Sequence, residues 1–338
     1  MNSGAQTDAG IAMGGNMPLV IDVHVHLFAM SEKNGAIIGD KVRRNPIFKI
    51  LISRKYGYKG NDEEFDRNYV EKVAREVRES KTTDKAVFLA LDGIYDSSGR
   101  LDTSRTEVYI PNEYCRKVCM ENPAEFLYAA SVNPDRADAL DELDRAKAGG
   151  AVLVKWLPNS QDFNPSESKY IPFYKKLAEL KLPLLSHTGY EHCIKVTDQL
   201  LGDPMHLRSA LDEGVTVIAG HCGTSGRGHP HEFFDDYLEM LGLYPNLFGD
   251  LAAITSLTRF NYISKMLKHP GFMDRHVHAT DYPSPPLPLL FPAALGIRKA
   301  LSLSFVGNTF DRDVETKRAL GFPEQVFTRA ESLLGLST

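Results

Sequence analysis

A chain of 338 residues with 43% hydrophobic and 25% charged residues carries the material for a sizeable core and is not that of a disordered protein. Its net charge of −5, a pI near 6.1 and the lack of a basic tract argue against nucleic acid as a partner. No stretch approaches the roughly 18 apolar residues that a membrane helix needs, which excludes a helical membrane span.

In chain order, residues 1–16 are rich in Gly, Ala, Ser and Asn and have neither the basic nor the apolar part of a secretion signal. They read as a disordered leader ahead of Met17. Short apolar, β-branched runs then recur, and they predict strands at 18–23, 85–91, 126–132, 151–156, 183–187, 215–220, 246–251 and 276–280. Most are continuous apolar runs and not strict alternations, as strands covered on both faces by helices are. Amphipathic stretches at 62–80, 105–121, 135–148, 167–180, 203–213, 231–243, 258–268 and 290–301 predict the helices between and after them. Asn133-Pro134-Asp135 opens one of these helices and Gly149-Gly150 closes it.

This alternation of strand and helix favours a closed (β/α)8 TIM barrel over a doubly wound sheet, with residues 17–338 as a single domain. Two stretches exceed a minimal barrel. Residues 27–61, with Phe28, Phe48, Tyr56 and Tyr58, follow the first strand and are expected to form a pocket wall or lid. Residues 304–338 hold two further helices, about 311–319 and 323–334. Cys115, Cys119, Cys193 and Cys222 have no zinc-knuckle spacing, which fits a reducing, cytoplasmic compartment.

The polar residues at strand C-terminal ends carry the functional signal, because barrel enzymes place their chemistry there. Asp22-Val23-His24-Val25-His26 ends the first strand, and residues two apart on a strand share a face. Lys155 ends the fourth strand, His187 the fifth, His221 the sixth, and Asp281 the eighth. His187 follows Lys155 by 32 residues and His221 follows His187 by 34, close to the roughly 30 residues of a strand–helix unit. Imidazole and carboxylate together suit a borderline divalent ion such as zinc.

Four segments carry a family resemblance: Ile21-Asp22-Val23-His24-Val25-His26, Pro183 to Thr188, Val217 to Gly223, and His278 to Pro283. With them the chain resembles the amidohydrolase superfamily, specifically its family 2 of TIM-barrel metal-dependent hydrolases, over about residues 17–301. The resemblance implies that His24, His26, His187 and Asp281 ligate a divalent metal, with zinc the favoured ion. His221 would be a ligand of a second metal or a catalytic base, and Asp281 would move the proton of a metal-activated water. Lys155 would either bind substrate or, carboxylated on its amine, bridge two ions. The implied reaction is hydrolysis of an ester, lactone or amide of a small molecule. The alternative within the family is non-oxidative decarboxylation of an aromatic or unsaturated carboxylic acid; a barrel that only binds a ligand is a third reading.

Around this set, Trp156 and Arg227 are candidate substrate contacts, the first beside Lys155 and the second in the glycine-rich loop 223–228. Asn159, Gln161 and His229 are expected nearby. His278, three residues before Asp281, is expected to face the strand–helix layer, and His269 and His276 solvated turns. Asp250, at the end of the seventh strand, either faces the site or caps a helix. Homo-oligomerisation is left open.

Overall fold

The computed structural model describes residues 18–44, 50, 54–226 and 229–336. The leader 1–16, Phe48 and Arg227 lie outside the described residues.

The strands, in chain order, are β1 (Ile21–His26), β2 (Ile37–Ile38), β3 (Lys85–Leu89), β4 (Val108–Tyr109), β5 (Phe126–Ser131), β6 (Leu153–Trp156), β7 (Leu184–His187), β8 (Val217–Gly220), β9 (Leu247–Asp250) and β10 (His276–Val277). An eight-stranded sheet runs β1-β3-β5-β6-β7-β8-β9-β10, and its pairs are parallel. The ring closes by backbone bonds from Val23 N to His278 O (3.3 Å), Asp281 N to His24 O (3.0 Å) and His26 N to Tyr282 O (3.0 Å). This is the TIM barrel that the strand–helix alternation predicts.

Two apolar layers hold the barrel. Ile21, Val23, Val87, Leu89, Ala129, Leu153, Leu185, Ile218 and Val277 fill its interior, closed by Ala330 of the last helix, Gln325–Leu333, and by Leu334 just after it. The larger layer, with Val25, Phe88, Trp156 and Tyr174 among its members, lies between strands and helices.

β1 opens three residues later than expected and includes both histidines. Its register against β3 slips between Asp22 and Val25, so one residue is extra. The bulge breaks the alternation: Val23 joins the interior cluster, whereas Val25 joins the outer one. The floor of the barrel is therefore apolar, while His24 and His26 both turn inward above it.

The helix expected at 105–121 starts only at Asn112. Pro111 disfavours helical backbone at Ile110, and the residues before it form β4, which pairs antiparallel with β2 in the insertion after β1. The helix expected at 290–301 is broken at Gly296, whose φ of 73° and ψ of 147° fit no L-residue helix, leaving Pro292–Leu295 and Ile297–Ser304. The insertion also reaches the loop after β7, where Lys41 Nζ donates to Ile194 O at 3.2 Å. Among the described residues no helix is long and apolar enough to cross a membrane.

Candidate metal centre

β1 places the His24 and His26 rings with centroids 5.0 Å apart. Asp281 follows β10 in the left-handed region, at φ 64°, which turns its carboxylate back across the barrel mouth. Its Oδ1 lies 3.2 Å from His26 Nε2 and 3.6 Å from His24 Nε2. One donor atom from each of these residues falls within 4.8 Å of the others. β7 ends on His187 and β8 leads into His221, with ring centroids 4.8 Å apart; His221 lies 5.1 Å from His24. β6 points Lys155 inward, its Nζ 3.1 Å from His24 Nε2. The structure thus gathers His24, His26, Lys155, His187, His221 and Asp281 at one end of the barrel.

Neighbouring groups fix which ring nitrogens are available. His24 Nδ1–H donates to Asp250 Oδ2 at 2.7 Å, leaving the Nε2 lone pair toward Asp281. His221 Nδ1–H donates to Ala252 O at 3.2 Å, so its Nε2 also carries the lone pair. His187 Nε2 is buried with no hydrogen-bond partner, and its Nδ1 is 3.8 Å from Glu191 Oε2. An orphaned imidazole nitrogen beside a converging set of imidazole and carboxylate donors fits a divalent transition ion.

Burial lowers the pKa of His24 to about 4, and the Lys155 charge adds to that against the pull of Asp250. Burial, then the Arg259 charge, holds His187 and His221 well below the usual histidine value. All three imidazoles are therefore neutral at neutral pH, as metal ligands must be. Burial alone would raise Asp281, but the His26 hydrogen bond and nearby positive charge bring it below its ordinary value. Burial lowers Lys155 to about 8, with Asp250, Asp281 and Glu191 opposing the shift. An ammonium at this spot and a dication on His24 Nε2 repel each other, so ion binding favours a neutral or carboxylated amine.

Asp250 proves to be the orienting group of the site. Besides holding the His24 ring it accepts from the His221 backbone N at 2.8 Å, so one carboxylate anchors both segments. Asp22 braces the frame: it accepts from His24 N (3.1 Å), Thr280 N (3.1 Å) and Thr280 Oγ1 (2.6 Å), tying β1 to the segment that carries Asp281.

Other candidates lie elsewhere. Trp156 is not brought to the site, because successive strand residues face opposite ways and Lys155 takes the inner face. Its indole packs on Phe163, Phe173 and Tyr174, and Nε1–H donates to Val132 O at 2.6 Å. Asn159 and Gln161 are buried in backbone-directed hydrogen bonds and do not open onto Lys155. His278 is in the strand–helix layer against Phe327, as expected, whereas His276 is fully buried and not in a solvated turn. It accepts from Tyr237 OH at 2.7 Å and stacks on Phe272. Sequence reasoning missed Arg259 and Glu191; neither sits at a strand end, the one positional signal available.

A barrel with a histidine and carboxylate cluster at its strand C-termini defines the class of metal-dependent TIM-barrel enzymes. The amidohydrolase family profile matches residues 21–318, and the chain belongs to that family, whose members are metal-dependent hydrolases and decarboxylases. The protein is an enzyme of this class. No curated protein matches it. Solved structures with a similar fold include an uncharacterised TIM-barrel protein from Bordetella bronchiseptica, 16% identical with a TM-score of 0.60, over 94% of this chain and 99% of that one. Another is 2,6-dihydroxybenzoate decarboxylase from Rhizobium, 15% identical, TM-score 0.56, over 95% and 99%. A third is a putative 2-pyrone-4,6-dicarboxylic acid hydrolase from Pseudomonas putida, 14% identical, TM-score 0.53, over 95% and 99%.

Proposed function

We propose that the protein hydrolyses an ester, lactone or amide bond of a small molecule, with His24, His26, His187 and Asp281 holding a divalent ion, zinc in the first instance. The observation that carries this reading is the Asp281 carboxylate resting on both His24 and His26 at the barrel mouth. A divalent ion held there supplies Lewis acidity toward a carbonyl oxygen and lowers the pKa of a water toward about 7. Asp281, kept ionised, accepts the proton of the attacking water and passes it to the leaving group. His221 has its Nδ1–H committed to Ala252 O, so Nε2 works as base or ligand and not as a donor to the carbonyl. Lys155 either meets the substrate or, carboxylated, serves a second ion. Four free cysteines, three of them buried, support a cytoplasmic location.

The test is a panel of esters, lactones and amides offered to the metal-loaded enzyme, with carboxylated phenols as controls. Hydrolytic turnover is expected, and a chelator and Asp281→Asn should both abolish it. Release of carbon dioxide from a carboxylated phenol with no hydrolytic turnover overturns it in favour of decarboxylation.

A further inference from the structure

Arg259 follows β9 and is 3% exposed. Its Nη1 donates to Thr224 Oγ1 at 2.8 Å and to the Thr224 carbonyl, and Nη2 donates to Tyr190 O at 2.8 Å. Thr224 lies three residues after His221, and Tyr190 three residues after His187. One guanidinium therefore clasps, at the same offset, both strand ends that deliver these imidazoles.

The two arms are in close register. Thr188 Oγ1 accepts from Gly223 N at 2.7 Å and donates to Gly220 O at 2.7 Å. A side chain on Gly189 would come 2.2 Å from Thr224 O, so only glycine permits the approach. The arm after β8 is also strained, with His221 at φ 64° and Cys222 at φ 56°. Such backbone is costly and persists only where surrounding contacts over-determine it. Thr224 supplies part of that hold: its Oγ1 donates to His221 O at 2.7 Å while accepting from Arg259.

We propose that Arg259 is a positioning residue for the metal centre, a clasp whose planar fork sets the His187 and His221 arms relative to each other. The proposal rests on the reading of these imidazoles as facing a metal. The fork is what matters: a lysine keeps the charge, but its single ammonium cannot reproduce the bridge from Thr224 to Tyr190.

Cobalt(II) titrations of the full chain, followed through the visible d–d bands, test this with Arg259→Lys and Arg259→Met. Both variants are expected to bind cobalt roughly 10–100-fold more weakly than wild type and with altered bands. Wild-type affinity and bands in Arg259→Lys overturn the clasp and leave charge as the role. A lowered melting temperature with unchanged cobalt bands in both variants also overturns it, since only folding is then served. If neither variant folds, Thr224→Val removes both Oγ1 links, the one from Arg259 and the one to His221 O, and unchanged bands there count against the proposal. Failure of wild type to bind cobalt instead sinks the metal reading itself.

Discussion

His24 is gripped at both ring nitrogens, by Asp250 on Nδ1 and by Lys155 on Nε2. The first contact fixes tautomer and ring plane, and the second marks the atom a metal would take. Asp250 thereby holds both the His24 ring and the His221 backbone. Asp250→Asn keeps the shape of the group but removes the charge that orients His24 Nδ1–H. Metal affinity is expected to fall by about 10–100-fold in a chelator-competition titration. An unchanged dissociation constant contradicts the orienting role.

The residues of the site differ in how far the chain announces them. The convergence of His24, His26, Lys155, His187, His221 and Asp281 is legible because each sits at or just past a strand end, and in a barrel those ends meet at one mouth. Asp250 also ends a strand, yet a carboxylate there could equally cap a helix, and only the 2.7 Å contact decides. Arg259 is invisible: its partners are two main-chain oxygens and the Thr224 hydroxyl on two distant loops, and such acceptors leave no mark in a sequence.

At the scale of elements, strands were easier to read than helix starts. Apolar continuity marks a buried strand directly, whereas helices begin where Pro111 or Gly296 interrupts a pattern that hydrophobic spacing alone would carry through. The β1 bulge has no sequence signal beyond Asp22 itself, and it decides that Val23 and His24 both face inward. Trp156 illustrates strand parity, since a single step along β6 separates the site from the helix layer. β10 carries an element-level consequence in His276. Burial lowers its pKa from 6.5 to about 3, against the hydrogen bond with Phe272 O. The folded state thus keeps His276 neutral while the unfolded chain protonates it below 6.5, so its stabilising contribution is complete above 6.5 and is lost as pH falls toward 3. The slope is up to about 1.4 kcal/mol per pH unit for one such group. Denaturant midpoints should fall between pH 6.5 and about 5, and His276→Gln should flatten that fall; an equal fall in the variant contradicts this assignment.

At the scale of the molecule, the barrel divides its labour along its axis. Ala330 of the last helix, Gln325–Leu333, and Leu334 just after it seal an apolar floor, and the opposite end carries the histidine and carboxylate cluster. Backbone bonds from the β1 histidines to the Asp281 segment close the ring and build the site in one act, so barrel closure and ligand convergence are coupled. The most direct test is calorimetric titration of chelator-treated protein with zinc or manganese, alongside Asp281→Ala. Saturable binding of about one ion per chain, or about two if Lys155 is carboxylated, is expected, with loss of that binding in the variant. Absence of binding to the wild-type chain, or binding that Asp281→Ala leaves intact, would contradict it.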